Sequence, residues 1–374
     1  MSQEFFLSVL PGFEDLAARE LKDWFPELTA KQEHGGVTVE APLATGLAMN
    51  LVLKIPTRIL LRLETFRCKD FPKLYRKIEE YPWHEVIDPR TRFAVEVSSS
   101  RSRLKIKSRI AEACEKAWAA YQAKRKARPA ADRPATLFVR FNNDECTLSL
   151  DTSGDRLHKR GQREHIGTAP LRETIAAALL QLTEKTLPIG ETRDIELVDP
   201  MVGSGTFLIE AATRDQAINA RDFAFNTFKH GILAEPALQR KRVAFKTFTG
   251  FECDAKTIQA AEHNLRGLPH DIRKDDIFAA APLPPKATNH QRWLIVNPPY
   301  GERLKIKKPL PEYYAELFAA CEKVAEPDRA CFILPAKAVK GRLPLPKAWK
   351  VLEKRSFSNG GIPVLAFVFG RIDG

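Results

Sequence analysis

Four short stretches of this 374-residue chain hold side chains that can do chemistry. Asn297-Pro298-Pro299-Tyr300 follows an apolar run, Trp293-Leu294-Ile295-Val296, that reads as a buried strand. Two successive prolines fix φ and push the residues before them into extended conformations, so the strand stops there. An amide side chain, backbone carbonyls and an aromatic ring are thereby held at the sheet edge where open α/β sheets bind ligands. Asp199-x-x-x-Gly203-x-Gly205 lies between a strand, Ile195 to Val198, and a helix that opens with Phe207. Glycines in such a turn let the backbone approach a ligand closely. Glu252 ends the following strand, and Asp276 ends the one after it.

The residue types in these turns decide which ligand suits them. Leu208 stands where a dinucleotide fingerprint needs its third glycine, and no Gly-Lys-[Ser/Thr] loop occurs. Asp199 would repel a pyrophosphate but attract a cationic cofactor that carries an amino acid. A carboxylate at the position of Glu252 can bond both ribose hydroxyls, and Asp276 can accept from an adenine amine. Three strand-end carboxylates together with the Asn-Pro-Pro-Tyr turn describe a site for S-adenosylmethionine.

These turns need a framework. Residues 168–374 alternate helices with apolar strands, which predicts a mainly parallel sheet covered on both faces. Thr168 is read as capping a helix with Pro170 just inside, running to about Lys185. Residues 1–66 read as a small α+β unit, with strands at 5–10, 37–40 and 58–66 and helices at 13–25 and 42–53. Residues 67–151 form a second α+β segment: a helix at 71–80, a strand at 93–97, an amphipathic helix, then strands at 136–141 and 146–151 across an Asn142-Asn143-Asp144 turn. Residues 152–167 read as a polar linker rich in cations, including Arg156, Lys159, Arg160 and Arg163.

The net charge of +12 favours a polyanionic partner, and its placement narrows the choice. Residues 101–128 carry Arg101, Arg103, Lys105, Lys107, Arg109, Lys116, Lys124, Arg125, Lys126 and Arg128 against only Glu112 and Glu115. Ile106, Ile110, Ala113, Ala117 and Tyr121 within it recur at helical spacing. The run therefore reads either as a phosphate-gripping surface or as a solvated helix face. Six scattered cysteines without metal spacing fit reduced thiols in a cytoplasmic protein. No apolar run is long enough to span a bilayer, and the N-terminus lacks a basic leader and cleavage site.

Asp199-Pro200-Met201-Val202-Gly203-Ser204-Gly205-Thr206 and Asn297-Pro298-Pro299-Tyr300-Gly301-Glu302-Arg303-Leu304 resemble motifs I and IV of the class I amino-methyltransferases. More narrowly, they are similar to the THUMP-domain RNA guanine-N2 methyltransferases. Leu150 to Gly161 and Ala169-Pro170-Leu171-Arg172-Glu173-Thr174 resemble that family's interdomain and first-helix sequences. Val202 departs from the cysteine common in motif I, which reads as neutral packing variation. The resemblance covers nearly the whole chain. It implies an α/β fold in which a Rossmann-like class I methyltransferase domain is preceded by α+β ferredoxin-like and THUMP domains. It implies methylation of a guanine N2 amine in RNA, with large-subunit (23S) ribosomal RNA favoured. One activity is expected, because the chain ends where some members carry a second methyltransferase domain. The implied cofactor site takes in Thr168, Pro170, Asp199, Pro200, Gly203, Gly205, Thr206, Glu252, Cys253, Asp275, Asp276 and Asn297. Asn297, Pro298, Pro299 and Tyr300 would be catalytic: an exocyclic base amine is conjugated with its ring and is a poor nucleophile, and if Asn297 Oδ1 and the Pro298 carbonyl accept its two N–H bonds, the nitrogen lone pair is freed toward the sulfonium methyl. Tyr300 would stack on the target base, taken out of its helix or loop, and the scheme calls for no metal. Arg101, Arg103, Lys105, Lys107, Arg160 and Arg303 would contact RNA. A tRNA guanine-N2 enzyme, a DNA adenine-N6 methyltransferase and a non-catalytic RNA-binding factor are the alternative readings. The Asn-Pro-Pro-Tyr turn treats any planar base amine alike, so the choice among bases rests on the basic segments and the resemblance.

Overall fold

Alternating apolar residues over the first 151 positions fold into strands joined by amphipathic helices. In chain order these are β1 (Ser2–Ser8), α1 (Glu14–Trp24), β2 (Ala30–Glu33), β3 (Gly36–Pro42), α2 (Leu43–Val52), β4 (Arg58–Arg67), α3 (Phe71–Glu80), β5 (Phe93–Ser100), α4 (Lys107–Lys124), β6 (Ala135–Asn142) and β7 (Glu145–Asp151). The remainder contributes α5 (Glu173–Lys185), β8 (Arg193–Asp199), α6 (Thr206–Thr213), β9 (Val243–Glu252), α7 (Ala255–Asn264), β10 (Asp271–Lys274), β11 (His290–Val296), α8 (Leu310–Ala325), β12 (Arg329–Pro335), β13 (Trp349–Asn359) and β14 (Ile362–Arg371). The structure is a computed structural model. It describes residues 2–127, 134–161, 171–188, 192–228, 236–237, 243–301, 306–339 and 343–372. Contacts divide the chain into one unit of residues 1–9, 27–157 and 218–237, and another of 10–26, 158–217 and 238–374. No helix among the described residues is long and apolar enough to cross a membrane.

The first unit is built on one seven-stranded sheet in the order β2-β3-β1-β4-β7-β6-β5. The two α+β segments expected from the sequence therefore share a sheet. Antiparallel pairing of β4 with β7, from Leu60↔Asp151 to Arg67↔Glu145, makes it continuous. The Asn143-Asp144 hairpin turn has φ of 51° and 63°, the left-handed values such two-residue turns require. β2 was not legible in the sequence because its four residues are largely solvent-facing and carry no alternation. The expected linker is also partly structural. Thr152 and Ser153 are fully buried, and Ser153 Oγ donates to Asn50 Oδ1 at 2.6 Å while Asn50 Nδ2 donates to Thr152 Oγ1 at 2.8 Å.

The second unit has strand order β10-β9-β8-β11-β12-β14-β13. β10, β9, β8, β11 and β12 run parallel, and the β13–β14 hairpin adds antiparallel to β12. Chain order reverses direction between β8 and β11, which makes their carboxyl ends the crevice where such sheets bind ligands. α8 holds that crevice in place. Tyr314, Leu317, Phe318, Cys321, Val324 and Ala325 recur at helical spacing and are buried against Leu294 and Val296 of β11 and Phe332 and Leu334 of β12. Leu317, Phe318 and Val324 each contribute about 1.5–3 kcal/mol by leaving water. Two boundaries differ from expectation. α5 begins at Glu173, with Arg172 in the extended N-cap position, later than the start read from the sequence; Thr168 and Pro170 lie outside the described residues. α1, expected to serve the N-terminal segment, belongs to the second unit. Its Asp15 accepts from Lys185 Nζ at 3.1 Å and from both Arg355 terminal nitrogens at 2.7 and 3.0 Å.

Candidate active site

Asp199 ends β8 with its side chain almost wholly out of water, at 2% exposure. Its Oδ1 accepts the Met201 amide at 3.0 Å. Burial pushes its carboxyl up to about 7; the Met201 amide pulls the other way and the charge of Glu252 adds to the rise. The turn that follows is pinned on two sides. Val202 N donates to the Phe251 carbonyl of β9 at 3.0 Å, and Gly205 N donates to the Val202 carbonyl at 2.9 Å. Gly205 caps α6 at φ 88°, a left-handed conformation that suits glycine. Pro200, Ser204 and Thr206 are buried around the turn, and Val202 is buried as well, consistent with a packing role. Gly250 of β9 was missed in the sequence: a Cβ there would lie 2.8 Å from both Val202 and Ile272, so the strand must be bare for the turn to approach.

At the end of β9, Glu252 Oε1 accepts the amides of Cys253 at 2.8 Å and Asp254 at 3.0 Å. No described residue bonds its other oxygen. Asp254 caps α7 by accepting from the Thr257 amide at 2.8 Å. After β10, Asp275 Oδ1 accepts the Asp276 amide at 2.9 Å and Asp276 Oδ1 accepts the Phe278 amide at 3.1 Å. The exposed Cys253 thiol sits 3.7 Å from the Asp275 carbonyl. Burial raises its pKa, and the charges of Asp276, Glu252 and Asp275 raise it further, which places all three carboxylates around one spot. Tyr313 and Phe278 close the aromatic side of this cluster. Their rings are 5.6 Å apart, and the Tyr313 hydroxyl reaches Met201 Sδ at 3.9 Å. Neither was singled out in the sequence: Tyr313 stands at helical spacing in α8 and reads as core, and Phe278 lies in the loop after β10, where no periodicity marks it.

The Asn297-Pro298-Pro299-Tyr300 turn leaves β11 beside β8. Tyr300 donates its hydroxyl to Asn297 Oδ1 at 2.6 Å, and Asn359 Nδ2 donates to that hydroxyl at 3.0 Å. Tyr314 of α8 donates to the Pro299 carbonyl at 3.0 Å. Burial pushes the Tyr300 hydroxyl up to about 12, tempered by the Asn359 bond, so it stays protonated. Among the described residues nothing donates to the Pro298 carbonyl. The turn is thus held from α8 and from the β13–β14 hairpin, neither of which the sequence pattern connects to it.

The residues expected to contact RNA fare differently. Arg101, Arg103, Lys105 and Lys107 are all exposed, while the intervening Ser102 and Leu104 are buried. The loop is fixed: Asp144 Oδ1 accepts the Arg103 amide at 2.6 Å, Ser102 Oγ accepts the Asp144 amide at 3.0 Å, and Ser99 Oγ donates to the Leu104 carbonyl at 2.6 Å. Four cations therefore project from an ordered loop at the start of α4. Arg160 must be reassigned. It is 3% exposed and makes paired hydrogen bonds to Glu210, at 2.6 and 2.8 Å, so its guanidinium does not face a phosphate. Thr168, Pro170 and Arg303 lie outside the described residues.

Comparison with known proteins agrees with this layout. The pattern described as "RMKL-like, methyltransferase domain" matches residues 160–360, "RlmL ferredoxin-like domain" matches 4–60, and the THUMP domain matches 68–151. The chain is 32% identical over 350 residues to ribosomal RNA large subunit methyltransferase K/L of Syntrophotalea carbinolica, covering 84% of this chain and 46% of that protein. It is 28% identical over 381 residues to slr0064 of Synechocystis, described as a candidate RNA methyltransferase, covering 97% of this chain and 95% of that one. The chain spans about half the length of the K/L relatives it matches. Among solved structures, SMU.472, described as a candidate methyltransferase in complex with SAH, superposes with a TM-score of 0.81 at 23% identity, covering 100% of this chain and 99% of that one. At that identity the likeness shows the fold.

Proposed function

The chain belongs to the family of RMKL-like methyltransferase domains, and on that premise we propose that it uses S-adenosylmethionine to methylate the exocyclic N2 amine of a guanine in 23S ribosomal RNA. The observation that carries the proposal is the convergence, at one sheet edge, of a buried carboxylate, an amide-held carboxylate and a braced Asn-Pro-Pro-Tyr turn.

The residues present suit the cofactor. Asp199 is a buried carboxylate without a cationic partner among the described residues, which favours a ligand that brings positive charge. Glu252 has one oxygen fixed by two amides and the other open for hydroxyls. Asp199 would hold the amino-acid end, Glu252 the ribose, and Asp276 with Phe278 the adenine. When bound, S-adenosylmethionine supplies an electrophilic methyl group on a sulfonium.

The chain's own groups would do the rest. Asn297 Oδ1 keeps one lone pair beyond the Tyr300 bond and accepts one N–H of the target amine; the Pro298 carbonyl accepts the other. The two acceptors orient the amine nitrogen and keep it unconjugated, and the prolines fix them before the base arrives. The Tyr300 ring offers a face to the extruded base. The four exposed cations at the start of α4 hold phosphates. This basic loop and the THUMP match favour RNA over DNA.

Asn297→Ala tests the assignment. Methyl transfer to unmodified ribosomal RNA is expected to fall by about 10²–10³-fold, the usual cost of removing one preorganised polar group. Cofactor affinity measured by calorimetry should stay near wild type. Turnover retained in this variant would overturn the role given to Asn297.

A further inference from the structure

We propose that Asn359 is a positioning residue that sets the orientation of the Asn297 side-chain amide through the Tyr300 hydroxyl; the proposal rests on the base-amine reading above. The geometry is a relay with one sense. Asn359 Nδ2 donates to Tyr300 at 3.0 Å, and Tyr300 donates to Asn297 Oδ1 at 2.6 Å. An amide nitrogen only donates, and a phenol carries a single proton. With Asn359 donating to it, Tyr300 turns that proton on Asn297, where only an oxygen can receive it. A flipped Asn297 amide would present Nδ2 instead and leave a half-buried hydroxyl proton without an acceptor. The turn's own sequence does not choose between the two orientations, because an amide differs little in shape when rotated by half a turn. The single Tyr300 proton ties that choice to the Asn359 amide at the end of β13, more than fifty residues away in sequence: with Nδ2 toward Tyr300, as the structure places it, Asn297 must present Oδ1.

The consequence is chemical. Rotating the Asn297 amide would replace an acceptor with a donor where the substrate N–H must bind, and two donors repel. Asn359 touches neither substrate nor cofactor in this scheme, so its effect must pass through Tyr300.

That requirement defines the test. Asn359→Asp keeps the shape but removes the donor. The carboxylate accepts the Tyr300 proton, Tyr300 then accepts from Asn297 Nδ2, and the relay runs backwards. Rates of methyl transfer at saturating cofactor would be measured on unmodified ribosomal RNA for wild type, Asn359→Asp, Tyr300→Phe and the double variant. Asn359→Asp is expected to lower the rate by about 10²-fold with cofactor affinity within about threefold of wild type. In the Tyr300→Phe background the same change should cost less than about threefold, because the relay is already cut. An equal loss in both backgrounds would show that the carboxylate acts by charge or misfolding and would overturn the proposal, as would a wild-type rate in Asn359→Asp. Asn297→Ala separates the two levels. An active Asn297→Ala sinks the base-amine reading itself; an inactive Asn297→Ala beside a fully active Asn359→Asp sinks only the relay. Neutron diffraction reads the same point without substrate: a Tyr300 deuteron directed at Asn359 rather than Asn297 contradicts the proposal.

Discussion

Arg160 and Glu210 form a paired ion bridge, with bonds of 2.6 and 2.8 Å and both side chains 2% exposed. In the sequence, Arg160 is one cation in a basic connector and reads as a phosphate ligand. In the structure it fastens the segment after β7 to α6, which follows the Asp199 turn. Removing one partner leaves a buried charge uncompensated, so Arg160→Ala should destabilise the second unit by roughly 3–5 kcal/mol. Thermal unfolding would show this. Arg160→Met combined with Glu210→Leu should recover most of the loss. A drop in RNA affinity with unchanged unfolding temperature would restore the phosphate-binding role.

Asp199 makes cofactor binding depend on pH. Its folded-state carboxyl is raised to about 7, first by burial. A raised carboxyl favours folding while it is protonated, and that contribution is lost as pH rises through about 7. Without ligand, Asp199→Asn should therefore gain stability relative to wild type between pH 5 and pH 8. The cationic cofactor prefers the ionised form. Its dissociation constant should weaken by up to about tenfold per pH unit as pH falls below 7, one proton being taken up on release. Asn at this position should flatten the dependence and weaken affinity at pH 8. Calorimetry across pH 5.5–8.5 measures both.

Gly250 sets how closely the Asp199 turn approaches β9. A Cβ 2.8 Å from Val202 and Ile272 forces one of them to move. Gly250→Ala should cost about 1–3 kcal/mol of stability, the usual range for overpacking. It should also weaken cofactor binding, because Val202 N anchors the turn to the Phe251 carbonyl. Unchanged affinity would mean that the turn absorbs the strain without moving Asp199.

The exposed cations of the loop before α4 should act together and independently of the methyl-transfer chemistry. Changing Arg101, Arg103, Lys105 and Lys107 to Ala should weaken RNA binding and reduce the salt dependence of log K by about 0.7 for each lost phosphate contact with single-stranded RNA. Their side chains project into solvent, so unfolding temperature should change little. Filter binding at several salt concentrations would measure the slope. An unaltered slope would place the RNA surface elsewhere.

What the sequence showed and what it hid follow from the range of the forces involved. Strand ends, glycine turns and the Asn-Pro-Pro-Tyr stop are set by neighbours in the chain: Asp199 and Glu252 end β8 and β9, Asn297 directly follows β11, and Asp276 lies two residues beyond the end of β10. Asn359 and Tyr314 brace the turn from distant elements, and no local pattern marks them. β4–β7 pairing, which merges two segments into one sheet, is likewise a long-range choice. Charge misled at Arg160 because a basic run says nothing of which member turns inward: Arg160 is buried, whereas Arg101, Arg103, Lys105 and Lys107 are exposed.

The central claim concerns one atom of one base. Purified protein would be incubated with isotopically labelled S-adenosylmethionine and, separately, unmodified ribosomal RNA, unmodified transfer RNA and unmethylated DNA, and each product digested to nucleosides for mass spectrometry. Label in N2-methylguanosine from the ribosomal RNA alone is the expected result. Label in N6-methyladenine from DNA, or in transfer RNA but not ribosomal RNA, would contradict it.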